Sequence, residues 1–439
     1  MIKMLSDPIF YVPIVGAILM CFTSALVGVI CVLKKKSLLG EALSHATYPG
    51  VVISAVMAQS LFPSSKGIVS IAILIGAFLF SIIGLFTIEY MEKKQRVDSD
   101  VALCFVLSTF LGVGILLVSK IQITHALVYQ QIQIFLYGQI ATLLKIHLWI
   151  YGILALVTCL IIYGLFKEIR ITIFDRNYAK SIGISSKSVD LACYMIIIGA
   201  IVIGIRSVGI VMMSGMLVIP ATTARQYTNR LSTLFILSGL FGILSALIGS
   251  IISLQPLFVK SNGKSLYMPT GPLIVLVASG LCLLSLLWAP SKGLIFRKLR
   301  ILRFNYKCLL ENLIKKIWQL QTEEPVPLKE LKRCFPSFPF LFTISLYQLQ
   351  RRQWITKKAG KVMLTEKGAT HARYIVRLHR LWEAYLFSCL DVDIKKVHAS
   401  AEEMEHILTR ELESDLTDLL ENPKLDPHYQ TIPERMGNI

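Results

Sequence analysis

Two short stretches near the C-terminus bring imidazole and carboxylate side chains to helical spacing. RLHRLWEAYL (377–386) sets His379 and Glu383 four residues apart. KVHASAEEMEHILT (396–409) sets His398, Glu402, Glu405 and His406 at relative positions 0, 4, 7 and 8. At about 100° per residue those four fall within an arc of roughly 100° on one helix. Nitrogen and oxygen donors converging on one face suit a divalent transition metal, and the lack of thiolate points away from a structural zinc site. The alternative is a polar helix face with Glu–His pairs at i,i+4. A third pair lies far upstream, where SLLGEALSHATYPG (37–50) puts Glu41 and His45 on one helix face within an apolar region. Ionisable groups in lipid cost several kcal/mol unless they meet a cavity or a partner, so this pair is either half of a cation site or a structural Glu–His bond.

The elements that carry these groups differ sharply along the chain. Hydrophobic residues make up 54% and charged residues 16% of the 439 residues, far from the roughly one quarter charged of a soluble domain. Nine apolar stretches approach the ~20 residues that cross a bilayer: 10–33, 38–62, 67–90, 100–119, 146–166, 190–206, 207–224, 232–255 and 270–290. The first is too long for a signal-peptide core and reads as a retained span. Segment 120–145 is amphipathic and reads as re-entrant or interfacial. The expected fold is therefore an all-α polytopic membrane domain of about nine spans.

Charge sets the orientation. The chain carries a formal +18, and Lys34–Lys36, Lys93/Lys94/Arg96, the 167–187 loop, Arg225/Arg230 and the 292–307 run all fall on one side if they are cytoplasmic. That places the N-terminus outside and everything after residue 290 inside. The nine cysteines form no CxxC pair and read as small apolar residues. SKGLIFRKLRILRFNYK (291–307) interleaves basic and apolar residues, as a helix on anionic lipid headgroups would.

Beyond it the pattern becomes that of a soluble domain. CLLENLIKKIWQL, VPLKELKRCF with Pro327 near its start, and FPFLFTISLYQLQRRQ suggest three helices. WITKKAGKVMLTEKG alternates around a Gly turn like a two-stranded wing. Helix, helix, helix, wing is the order of a winged helix-turn-helix. The reading helix would cover about 338–352, with Gln348, Gln350, Arg351 and Arg352 toward DNA and Lys357, Lys358 and Lys361 adding phosphate contacts. The expected organisation is a permease domain (1–290), a basic linker (291–307), a winged helix-turn-helix domain (308–370) and a helical metal-binding and dimerisation domain (371–439).

LLGEALSHATYPGVV, GIVMMSGMLVIPATTAR (209–225) and PTGPLIVLVASGLCLLSLLWAPSKGL (269–294) resemble the permease subunits of bacterial ABC-3-type importers for manganese, zinc and iron. The resemblance implies that Glu41 and His45 face the transport path and hold metal, although Asp is the usual acid. It also makes RITIFDRNYAKSIGISS (170–186) the segment that docks the ATPase, with Asp175, Ala179 and Gly183 at the matching positions. A separate ATPase subunit, a solute-binding protein and a second permease subunit are then expected. SNGKS (261–265) ends like a phosphate-cradling loop, but Phe258 stands where its first glycine belongs, so no nucleotide site is expected in this chain.

LTEKG, HRLWEAYL, VHxxAExxEH and NPxxDPHxxxIP resemble iron- and manganese-dependent repressors of the diphtheria-toxin-repressor type, over about 308–434. That resemblance implies two neighbouring metal sites, with Fe(II) or Mn(II) as co-repressor, linking dimerisation helices to a DNA-reading domain. The ancillary site falls on His379, Glu383 and His398, and the regulatory site on Glu402, Glu405 and His406. Glu402 stands where iron sensors have cysteine. The ligand from the first helix falls at Asn312, and Lys315 occupies a place that is acidic in manganese sensors. After NPxxDPHxxxIP no SH3-like third domain, and so no ligand from one, is expected. The whole resembles the permease–repressor fusion of chlamydial metal-import operons: a non-enzymatic chain of the bacterial inner membrane whose cytoplasmic end binds operator DNA as a dimer. Release of that end near the linker would be a further step. The alternative is an importer whose C-terminal domain senses metal and restrains transport without touching DNA.

Overall fold

The computed structural model describes residues 8–62, 66–124, 126–138, 140, 143–254, 260–261, 264–265, 268–321, 324–335 and 339–435. The chain divides into two compact units, Met1–Arg297 and Lys298–Ile439.

The first unit is helical. Its elements are α1 (Pro8–Leu33), α2 (Leu39–Leu61), α3 (Lys66–Lys93), α4 (Ser99–Thr124), α5 (Ala126–Tyr137), α6 (Lys145–Gly164), α7 (Phe166–Phe174), α8 (Arg176–Ser181), α9 (Ser186–Val208), α10 (Ile210–Arg225), α11 (Leu231–Ser253) and α12 (Thr270–Trp288). A hairpin, β1 (Lys260–Ser261) with β2 (Lys264–Ser265), precedes α12. Ser261 of the SNGKS run lies in β1 and Lys264 and Ser265 lie in β2, two antiparallel strands, whereas a phosphate cradle runs from strand to helix.

Every apolar stretch expected to span is helical, but seven helices rather than nine are long and apolar enough to cross a membrane among the described residues. The two exceptions are α2 and α10. α10 has 16 residues, about 24 Å at 1.5 Å per residue, short of the ~30 Å hydrocarbon core. α2 has 23 residues but includes Glu41, Ser44, His45 and Thr47. Both are packed by other helices: α2 by α3, α4 and α10, and α10 by α1, α11 and α12. Surrounded by protein, they need not be apolar on every side. The crossing of α1 and α10 is close, since a Cβ on Gly28 would lie 1.6 Å from the Leu217 carbonyl oxygen. Segment 120–145 supplies the end of α4, the 12-residue α5 and the start of α6.

α13 (Leu294–Leu320) is one unbroken helix, so the basic linker and the expected first helix of the soluble region form a single element. In the second unit it buries Leu310, Leu313, Ile314 and Ile317, a stripe at i, i+3, i+4 and i+7. After it come β3 (Val326–Pro327), α14 (Leu328–Cys334), α15 (Pro339–Arg351), β4 (Ile355–Lys358) and β5 (Lys361–Leu364). The three strands form an antiparallel sheet in the order β3–β5–β4. Ala359 and Gly360 turn β4 into β5 with φ of 49° and 75°, the positive pair that suits a tight hairpin. The α13 stripe packs with Leu331, Phe342, Leu346, Leu349, Ile355 and Val362 into one core.

Three further helices complete the unit: α16 (Glu366–Leu390), α17 (Ile394–Met404) and α18 (Arg410–Leu419). Thr365 caps α16 by accepting from the Gly368 N–H at 3.1 Å, and Thr409 caps α18 by accepting from Leu412. Buried Arg377 ties α16 to α18. Its Nε donates to Glu413 at 2.8 Å, and its other nitrogens reach Thr417 and the Pro433 carbonyl.

Candidate metal centre

α16 presents His379 and Glu383 one turn apart on its buried side, and α17 brings His398 against them. His379 Nε2 lies 3.1 Å from Glu383 Oε1 and 3.1 Å from His398 Nδ1, and His398 Nδ1 lies 2.8 Å from the same carboxylate oxygen. Donor atoms held at right angles about 2.1 Å from one ion lie about 3 Å apart, so these three fit a divalent cation. Two imidazoles and a carboxylate suit Mn(II), Fe(II) or Zn(II). His379 and Glu383 are buried while His398 is exposed, which leaves an entry side. The expected ancillary set is therefore brought together.

His428 was not among the expected ligands. Its Nε2 stands 4.0 Å from Glu383 Oε1. Asp426 places it: the carboxylate accepts from the His428 and Gln430 N–H groups and faces Arg380 on α16. The NPxxDPH run carried that signal as a local turn, without showing that the turn would reach α16.

The second expected set assembles differently. The helix carrying His398 ends at Met404, so Glu405 and His406 stand in the following turn and the expected four-residue helical face does not form. Glu402 is exposed and lies outside the cluster of close donor atoms. Glu405 is buried and turns inward, with Oε2 2.5 Å from His379 Nδ1 and 2.6 Å from Lys315 Nζ. With Nδ1–H donating to that carboxylate, His379 turns Nε2 toward Glu383 and His398, where an ion would replace the proton on it. His406 Nδ1 meets Glu311 Oε2 at 2.7 Å. The α13 residue facing His406 is thus Glu311 rather than Asn312; neighbouring helical residues point about 100° apart, and packing of the apolar stripe selects which one faces inward.

Protonation follows from these contacts. Burial works against the Glu383 carboxylate, yet hydrogen bonds from His379 and His398 hold it below its ordinary 4.5, at about 2. Burial likewise opposes a charged His379, and the bonds to Glu383 and Glu405 outweigh it, leaving the ring above its usual value. Glu405 is held low against burial by His379 and Lys315.

α15 turns Phe342, Leu346 and Leu349 inward and leaves Tyr347, Gln350 and Arg351 exposed, with Gln348 half-buried. Arg352 follows the helix, its guanidinium 5.1 Å from the Trp354 ring centre, a cation–π contact. Lys357, Lys358 and Lys361 are exposed on the hairpin.

In the first unit Glu41 is half-buried and His45 buried, its Nδ1 without a hydrogen-bond partner among the described residues. Pro49 has no N–H to offer the His45 carbonyl four residues back. Asp175 caps α8, accepting from the Asn177 and Tyr178 N–H groups, while Ala179 is buried and Gly183 takes φ 81°. Asp190 joins this segment to the end of α1, at 2.7 Å from both Arg176 and Lys34. Lys36 pairs with Glu92 at 2.6 Å, so the 34–36, 89–93 and 172–176 segments line one polar cleft.

The ABC 3 transport family matches residues 6–289, and the iron dependent repressor metal-binding and dimerisation domain matches residues 365–434. A metal transport system membrane protein of Chlamydia trachomatis is 36% identical over 98% of this chain and 97% of its own length. The manganese transport system membrane protein MntC of Bacillus subtilis is 31% identical over 84% of this chain and 82% of its own. The solved structure of PsaBC from Streptococcus pneumoniae in complex with Fab has a TM-score of 0.55 at 26% identity, covering 68% of this chain and 98% of that one.

Proposed function

We propose a function for a chain that belongs to the ABC 3 transport family and carries a metal-binding and dimerisation domain of the iron-dependent-repressor type behind its permease. It is a multi-pass membrane protein and not an enzyme. As a permease it works with an ATPase subunit and a substrate-binding protein. In our reading it imports iron, manganese or zinc through the inner membrane, with Glu41 and His45 on the path, Asp175, Ala179 and Gly183 at the ATPase contact, and a second permease subunit completing the pore. The N-terminus is outside and the C-terminal region cytoplasmic.

Residues 1–290 then serve as permease, 291–307 as a basic membrane-surface segment, 308–370 as a winged helix-turn-helix and 371–439 as the sensing and dimerisation domain. The order strand, two helices and hairpin supports the DNA-reading assignment, with Gln350, Arg351, Lys357 and Lys358 on the exposed side. The observation that carries the reading is the convergence of His379, Glu383 and His398 from two helices within 4.8 Å of one another. Ions arriving through the first unit would load the second, which would silence uptake genes.

A strain expressing the chain with its transport partners, and a reporter behind the chain's own upstream region, tests both halves. His45→Ala should abolish metal accumulation. Glu383→Gln should relieve metal-dependent silencing while leaving uptake per chain unchanged. If Glu383→Gln instead raises uptake and leaves the reporter untouched, the domain restrains transport without reading DNA.

A further inference from the structure

Lys315 projects from the buried side of α13 into the metal centre. Its ammonium lies 2.6 Å from Glu405 Oε2 and 3.2 Å from His379 Nδ1, and both Lys315 and Glu405 are buried. The same carboxylate oxygen also accepts from His379. A cation tethered to the backbone therefore stands beside the three-donor cluster, on the far edge of the His379 ring.

On the other side of Glu405 two buried atoms lack partners among the described residues. They are Glu405 Oε1 and His406 Nε2, 3.7 Å apart. A carboxylate oxygen and an imidazole nitrogen facing each other away from water suit a cation. Yet the negative charge such a cation needs is already neutralised by the ammonium on Oε2, and two positive charges on one buried carboxylate repel strongly.

We infer that the Lys315 ammonium takes the place of one metal ion, so that the C-terminal unit holds a single divalent ion at His379, Glu383 and His398. The tethered charge also ties α13 to Glu405 without metal. In this chain one ion, not a pair, sets the sensor's response. The inference rests on the reading that this unit binds divalent ions.

Bound manganese per chain, measured by equilibrium dialysis and elemental analysis on the detergent-solubilised full chain, tests it. Lys315→Glu should bind one more ion than wild type, and Lys315→Met should bind one more at higher Mn(II). Lys316→Glu, one residue along, should match wild type. Glu383→Gln should bind one fewer. If Glu383→Gln loses an ion but neither Lys315 variant gains one, the tethered-cation inference is overturned and the sensor reading stands. If Glu383→Gln and both Lys315 variants all match wild type, both are overturned. Lys315→Met removes the ammonium without adding a carboxylate and is only one atom shorter, so it carries the test should Lys315→Glu fail to fold.

Discussion

His398 Nδ1 lies 2.8 Å from Glu383 Oε1, joining a donor on Ile394–Met404 to one on Glu366–Leu390. Helices joined by a loop of only a few residues thus meet through two metal-ligand types. The donors are in place in the fold itself, so an ion would have little reorganisation to impose.

The pH dependence of the metal-free C-terminal unit follows from these contacts. Glu383 is held from 4.5 down to about 2, so its stabilisation is complete above about pH 4.5 and is lost as pH falls toward 2. His379 is raised above 6.5, so its stabilisation is complete below 6.5 and is lost as pH rises through its higher value. Hydrogen-exchange protection of 366–390 in the chelator-treated full chain, corrected for intrinsic rates, should peak between 4.5 and 6.5. Protection that is the same below 4.5 and above 6.5 as between them would show that the Glu383–His379–His398 contacts contribute nothing to folding.

Gly28 fixes the approach of α1 to α10. A Cβ there would meet the Leu217 backbone at 1.6 Å, and a carbonyl cannot swing aside as a side chain can. Gly28→Ala should cost about 3 kcal/mol or more, the upper end for overpacked sites. Thermal unfolding of the detergent-solubilised chain, read by size-exclusion fluorescence, should drop by several degrees. An unchanged midpoint would mean the two helices are not so close.

Asp175 starts α8 by accepting two backbone N–H groups. Asp175→Ala should remove about 1 kcal/mol from that short helix. If this segment docks the ATPase, the variant should retain less ATPase through purification and couple less ATP hydrolysis to uptake, with the permease equally abundant. Full ATPase retention and full coupling would remove Asp175 from the contact.

Much of this was legible in residue types. Hydropathy marked each long helix, because lipid-facing sides demand apolar residues whatever the neighbours. At α2 and α10 the helices fall short of the length or apolarity of the other seven, because helices rather than lipid cover their sides. The i,i+4 spacing of His379 and Glu383 became a real pair because α16 runs on past both. The same arithmetic failed from Glu405 onward: the helix stops at Met404 and Glu405 turns toward Lys315 and His379, residues 90 and 26 positions away in the chain. Glu311 rather than Asn312 meets His406 for a related reason, since a one-residue choice on α13 depends on how its apolar stripe seats against the core.

In the function proposed, metal held by His379, Glu383 and His398 governs DNA binding by a permease. The most direct measurement is the affinity of the full chain in lipid nanodiscs for labelled DNA from its own upstream region, with Mn(II) or Fe(II) and with chelator. Metal should tighten binding at least about tenfold, a coupling of roughly 1.4 kcal/mol. Glu383→Gln should abolish that gain. Lys357→Ala with Lys358→Ala should weaken binding evenly across sequences and lower the salt slope by about one for each phosphate no longer neutralised. Equal affinity with and without metal, or a metal gain that Glu383→Gln leaves intact, would contradict the account.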